Sequence, residues 1–158
     1  MLCIMKTTVK RIPVVLILED PRFADMVAEY AAEAKIPEMP TPKPDSYAYQ
    51  AMERFGHLVA FGAYTDGGRL VGFLVMLVSS LPHYSLRMAV IESFYVLPSF
   101  RRGGSGQRLL RAAEDEALQL GCHSVLVTAP NGGRLARALP VLGYRPSHEV
   151  FIRRLQDE

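Results

Sequence analysis

The chain has no tryptophan and only two cysteines, Cys3 and Cys122, in 158 residues. Those thiols, with His57, His83, His123 and His148 scattered between and beyond them, give neither a disulfide framework nor a metal-ligand spacing. No bound metal is expected, and reduced thiols suit a cytoplasmic protein. Charge of one sign is scarce as well: 18 basic and 16 acidic residues leave a net +2, which predicts no nucleic-acid binding from bulk electrostatics. Long apolar runs are missing. The stretch Met1 to Met5 is too short for the core of a signal sequence, and Pro13 to Leu18 is shorter than any membrane span, so no membrane partner is expected. Met5 is an alternative start that makes residues 1–4 optional. No internal repeat or low-complexity tract stands out. With 49% hydrophobic residues and no long linker, residues 1–158 read as one domain able to bury a sizeable core.

The most informative stretch runs from Val90 to Leu110. An apolar, β-branched and aromatic run to Leu97 stops at Pro98 and passes through Arg101-Arg102-Gly103-Gly104-Ser105-Gly106 into apolar positions at Leu110, Ala113, Ala117 and Leu120. This reads as strand, basic glycine-rich turn, helix. Backbone N–H groups at a helix start have no intrahelical acceptor and the helix dipole adds partial positive charge, so the turn suits a pyrophosphate. Glycine allows close backbone approach, and the two arginines add full charges. The plainer reading is a flexible turn with a solvated basic patch. The P-loop is excluded because Gln107-Arg108 follows Gly106 where Lys-Ser/Thr is needed. The dinucleotide fingerprint is excluded because Leu109 stands where its third glycine belongs.

From Val90 to Gly121 the chain resembles the GNAT superfamily of acetyltransferases, and more weakly so to Tyr144. Those proteins carry an apolar strand ending in Val-x-Pro, here Val96-Leu97-Pro98, then Gln/Arg-x-x-Gly-x-Gly/Ala, here Arg101 to Gly106, then an amphipathic helix closing at glycine, here Gly121. Phe100 fills the aromatic position before the arginine. The resemblance implies an α/β (α+β) fold with a mixed, mostly antiparallel central sheet of about six or seven strands, about four flanking helices and splayed central strands.

The rest of the chain supplies elements in a compatible order. Ile12 to Leu18 reads as a first strand. Asp20-Pro21 then caps and opens a helix to about Ala34, whose Asp25, Glu29 and Glu33 form a solvated acidic face or attract a cationic substrate. Pro37, Pro40, Pro42 and Pro44 stiffen a loop, which the resemblance links to the acceptor pocket. Pro-x-x-Pro as a partner motif is the weaker reading, and Asp45 caps a short helix through Phe55. Leu58 to Tyr64 and Leu70 to Ser79, joined by Thr65-Asp66-Gly67-Gly68, read as an antiparallel hairpin. After the central helix come a strand from Ser124 to Thr128, a helix bearing Leu135, Ala138, Leu139 and Leu142 that ends at Gly143-Tyr144, and final strand segments near Tyr144 and from Glu149 to Leu155.

The resemblance also implies an activity: acetyl-CoA-dependent transfer of an acetyl group from the thioester to a primary amine of a small molecule or peptide, with no metal. Phe94, Tyr95 and Val96 would line the pantetheine arm, the amides of Arg101, Arg102, Gly103, Gly104, Ser105 and Gly106 would hold the pyrophosphate, and Asn131 would lie near the arm or thiol. Glu92, the carboxylate within the motif strand, is the candidate base on the same nominal face as Phe94. A charge in an apolar strand is costly unless used or paired, so the competing reading is that Glu92 pairs with a neighbouring arginine or lies at an exposed strand end. The tyrosine that often protonates the departing thiolate is replaced by Leu139. Tyr95, Tyr144, His148, Tyr84 or solvent are the substitutes. That departure motivates the alternative of an acyl-CoA-binding sensor or interaction module with little or no turnover. His83-Tyr84 is an exposed connection or faces the acceptor, and Arg134 and Arg137 read as a solvated helix face, with contact to coenzyme phosphates the weaker reading. Dimers are frequent in the superfamily, so a homodimer is one expected assembly.

Overall fold

The computed structural model describes residues 6–34 and 36–156; the alternative starts and Cys3 lie outside them. Five strands form one sheet in the order β1 (Thr7–Ile12), β2 (Leu58–Thr65), β3 (Leu70–Leu81), β4 (Leu86–Val96) and β5 (Cys122–Val127). The first four pair antiparallel, and β5 joins β4 in parallel. The helices are α1 (Val15–Leu18), α2 (Phe23–Ala34), α3 (Ser46–Arg54), α4 (Ser105–Gln119) and α5 (Arg134–Ala138). A mixed sheet flanked by helices is as expected, but with five strands rather than six or seven among the described residues.

The apolar runs of β2 and β3 are buried on both faces, because each face carries a helical layer. On one side Phe61, Leu74, Met76, Ile91 and Val96 pack with Leu109, Leu110, Ala113 and Ala117 of α4. On the other, Ala60, Phe73, Val75 and Tyr95 pack with Ile17 of α1 and Met26 of α2. The parallel β4–β5 connection follows from α4, which crosses over the first layer.

Two expected elements are corrected. Ile12 to Leu18 is not a strand: β1 ends at Ile12, Pro13 supplies no ladder donor, and the Leu16 N–H bonds to the Pro13 carbonyl at 3.0 Å to start a helical turn. A short apolar run fits either element, and the preceding residues had already filled the sheet edge. The final strands near Tyr144 and from Glu149 to Leu155 do not form either; this segment lies outside the sheet. The helix expected to run through Leu142 stops at Ala138, since Pro140 opens a separate 3-10 turn, Pro140–Leu142, that ends at Gly143 with φ +94°.

Capping fared differently at the two helix starts. Asp45 accepts the Ala48 N–H at 3.0 Å, as its position predicts. Asp20 instead accepts the Arg22 N–H at 2.9 Å and the Arg22 guanidinium at 3.0 Å, and α2 begins later, at Phe23. Burial alone would raise the Asp20 carboxyl, yet these Arg22 bonds hold it below the usual range. A carboxyl lowered on folding adds stability that is complete above its unfolded value near 3.9 and is lost as pH falls through the folded value. Asp20→Asn should therefore melt earlier than the parent at neutral pH, and the gap should close below about pH 4; a constant gap across that range would refute the assignment.

Candidate active site

The motif strand β4 leaves the sheet's regular pattern in two ways. Its pairing with β5 runs only from Arg87 opposite Cys122 to Ile91 opposite Val127. From Ser93 to Val96 it stays paired to β3 alone, so its backbone groups facing away from β3 have no ladder partner among the described residues. The second irregularity is a bulge: Met76 faces Ile91 but Val75 faces Ser93, leaving Glu92 as the extra residue. Ala89 and Ile91 therefore lie on the α4 side together with Phe94 and Val96, while Tyr95 lies on the α2 side.

The bulge corrects the expected face of Glu92. It does not share Phe94's side: Tyr49 of α3 donates its hydroxyl to Glu92 Oε1 at 2.9 Å, and Tyr49 packs with the α2-side core. Burial, then the Glu92 charge and hydrogen bond, push the Tyr49 phenol well above its usual range. Burial and the same carboxylate also raise Tyr30. Glu92 is thus an exposed carboxylate with a phenol proton committed to it.

Next to it, the α2 carboxylates grip the motif. Tyr95 donates its hydroxyl to Glu29, and the Arg101 guanidinium bonds to Glu33 at 2.6 Å and to the Val96 carbonyl at 2.7 Å, lying 5.3 Å from the Tyr95 ring centroid. Glu29 and Glu33 are therefore not a merely solvated face. Arg101 is occupied in holding strand to turn, whereas the exposed Arg102 carries no hydrogen bond or ion pair among the described residues.

The turn itself is a 3-10 segment, Pro98–Gly103, followed by Gly104 at φ +76°, a left-handed conformation that favours glycine. The α4 ladder starts with the Arg108 N–H to the Gly104 carbonyl at 3.0 Å, so the amides of Ser105, Gly106 and Gln107 have no intrahelical acceptor. A Cβ on Gly106 would stand 3.3 Å from the Phe94 ring; glycine there lets the helix start sit against the strand. The unpaired half of β4 thus leads into a turn that carries free amides and the exposed Arg102. Asn131 lies exposed in the turn after β5.

Behind the turn is a polar knot that the sequence reading missed. Thr7 of β1 and Ser105, both buried, share a hydrogen bond of 2.7 Å. Arg108 reaches Thr7 Oγ1 at 2.7 Å and the Gly103 carbonyl at 2.9 Å, while its Nε is buried without a partner. The guanidinium fork thereby ties the turn to the first strand. Arg108→Met should leave the Gly103 carbonyl unpaired, cost about 1–3 kcal/mol in urea unfolding, and weaken any ligand of the turn. Arg108→Lys should not restore both, because one ammonium cannot reproduce the fork; full rescue by lysine would contradict this geometry.

The expected general-acid substitutes are dispersed. Tyr144 donates to Glu114 of α4 at 2.5 Å, Tyr95 is engaged with Glu29, and Tyr84 is exposed beside His83 in the β3–β4 connection. His148 bonds to its neighbour Ser147 at 2.6 Å. Leu139 is buried.

The family model for the GNAT acetyltransferases matches residues 23–144, most of the chain and all of this strand–turn–helix. The chain belongs to the GNAT acetyltransferase family. Solved structures agree on the GNAT fold. A ribosomal-protein-alanine N-acetyltransferase from Brucella melitensis biovar Abortus 2308 superposes with a TM-score of 0.70 at 21% identity, covering 96% of this chain and 100% of that one. An aminoglycoside acetyltransferase from an uncultured soil metagenomic sample does so with a TM-score of 0.73 at 18% identity, covering 96% and 100%. At such identities the likeness concerns the fold alone. Among curated proteins no sequence matches. Within this GNAT acetyltransferase, no group of three or more His, Cys, Asp or Glu among the described residues is placed to hold a metal, and no described helix is long and apolar enough to cross a membrane.

Proposed function

We propose that the protein is an N-acetyltransferase that uses acetyl-CoA and a primary amine of a small molecule or peptide. The observation that carries this reading is the parting of β4 from β5 after Ile91, directly before a turn with free amides. The coenzyme supplies an activated acetyl thioester. The open backbone edge of Phe94, Tyr95 and Val96 would receive its arm. The amides from Arg101 to Gly106, with the Arg102 charge, would hold its pyrophosphate, and Asn131 would stand near the arm or the thiol end.

An amine with pKa near 10.4 must lose a proton before it attacks. Glu92 would take that proton, directly or through one water, with Tyr49 fixing the carboxylate by donating to one oxygen. The Glu29–Tyr95 and Glu33–Arg101 contacts keep strand and turn in fixed relation, so that the two halves of the site stay aligned. The free Cys122 thiol fits a reducing compartment, and the cytoplasm is the proposed location. A second reading, an acyl-CoA-binding module with little turnover, draws on the buried Leu139 where relatives often carry an acidic tyrosine.

Calorimetric titration with acetyl-CoA and with free CoA tests the first half of this reading, and thiol release in the presence of a panel of primary amines tests the second. Saturable binding with thiol release supports the enzyme. Binding with no release across the panel favours the module, and no binding overturns both.

A further inference from the structure

On the half of β4 that has parted from β5, two residues turn their backbone outward. Val96 faces Gly72, and the next residue, Leu97, donates its N–H to the Val71 carbonyl at 2.9 Å. In an antiparallel ladder that pattern makes Gly72 and Val96 a pair without mutual hydrogen bonds, so the N–H and C=O of Val96 point away from β3. The register runs unbroken back to Phe94 opposite Leu74, so Phe94 turns its backbone outward as well. An open edge of this kind invites pairing with any stray strand.

One of those outward groups is already taken. The Arg101 Nε donates to the Val96 carbonyl at 2.7 Å, on the side where β5 no longer accompanies β4. The guanidinium is held there from behind: a terminal nitrogen bonds to Glu33 of α2 at 2.6 Å, and the group lies over the Tyr95 ring. The Arg101 side chain is 18% exposed, whereas that of Glu33 is 51% exposed. The arginine is lodged in the groove, and the carboxylate that holds it stands at the rim. A carbonyl can accept two donors, but here the bulk of the guanidinium stands where a partner pairing with Val96 would lie.

We propose, resting on the coenzyme reading above, that the Arg101 side chain is a latch on this groove. In the free protein it caps the Val96 carbonyl and guards the open edge, and Glu33 keeps it in place. The amide-bearing arm of the coenzyme enters by taking that carbonyl over. Only the Nε bond has to open: Glu33 stands half in solvent and follows the guanidinium outward, while the Tyr95 contact to Glu29 keeps α2 on the strand. Phosphate binding is left to the turn's amides and Arg102. The latch therefore opposes the arm of the coenzyme and not its nucleotide end.

Calorimetric titration of the parent and of the double variant Glu33→Gln/Arg101→Met is the test, with two probes: CoA, and the nucleotide end of CoA alone, a phosphorylated adenosine diphosphate without the arm. The variant removes one charge of each sign, so net charge is unchanged. CoA should bind the variant about tenfold more tightly, the worth of one charge-assisted hydrogen bond that the parent gives up on entry. The arm-less nucleotide should bind both proteins alike. Equal or weaker CoA binding by the variant, or a matching gain for the arm-less nucleotide, overturns the latch and leaves the coenzyme reading standing. CoA binding by neither protein overturns both. Should the variant not fold, NMR of the arginine side chains of the parent decides. The Arg101 Nε–H should be protected from exchange in the free protein and lose that protection at saturating CoA, and protection that persists refutes the latch.

Discussion

Gly104→Glu should abolish saturable coenzyme binding while leaving the fold cooperative. Gly104 sits at φ +76°, where a side chain costs roughly 1–2 kcal/mol of backbone strain, and its Cβ would stand 3.2 Å from the Arg108 guanidinium. A carboxylate there also puts a negative charge at the mouth of the amides proposed for the pyrophosphate. The strain lowers stability, whereas the repulsion and the added bulk at the turn should lower affinity by more than about 100-fold, each tenfold being worth about 1.4 kcal/mol. Gly104→Ala separates the two contributions: it keeps the strain without the charge, so it should lower stability by about 1–2 kcal/mol and leave affinity close to the parent's. Titration of both variants against CoA is the measurement. If Gly104→Glu binds like the parent, the turn does not hold the phosphates.

The second large effect belongs to Glu92. With Gln at this position the Tyr49 hydroxyl keeps an acceptor, but the side chain itself can no longer take the amine's proton. Turnover should fall by about 10²–10⁴, the usual contribution of a general base, with coenzyme affinity unchanged because the carboxylate lies on the face opposite Phe94 and the turn. Tyr49→Phe should produce a smaller fall, since it loosens the carboxylate without removing it. Steady-state rates with a fixed amine acceptor would decide the matter. Unaltered turnover in Glu92→Gln would assign the Glu92–Tyr49 bond to holding α3 against β4.

What the sequence made legible was local. The run from Val90 to Gly121 contains its strand, its stop at Pro98, its glycines and its helical spacing within a few residues of one another, and β4, the turn and α4 lie there. The hairpin of β2 and β3 was legible for the same reason, through Gly67-Gly68 between two apolar runs. What escaped was set by distant partners. Whether Val15 to Leu18 became helix or strand depended on the α2-side core, where Ile17 is wholly buried. The knot of Thr7, Ser105 and Arg108 joins residues about a hundred positions apart, and no spacing rule anticipates it. Glu29 and Glu33 were visible as a helix face, but their partners Tyr95 and Arg101 were not. The tail from Glu149 to Leu155 has a strand's composition but pairs with no strand among the described residues.

The bulge at Glu92 makes β4 a two-part message with one extra character. Upstream of it, odd-numbered positions Ala89 and Ile91 face α4; downstream, even-numbered Phe94 and Val96 do. Deleting a single residue between Ile91 and Ser93 would not shorten the strand in any useful sense. It would remove the bulge and restore plain alternation, with Ile91, Phe94 and Val96 still toward α4 and Tyr95 still toward α2, but it would take away the carboxylate on β4 that accepts from Tyr49. The same deletion anywhere else in β4 would exchange the faces of every side chain beyond it, so this is the one place where the strand can lose a residue and keep both cores in frame.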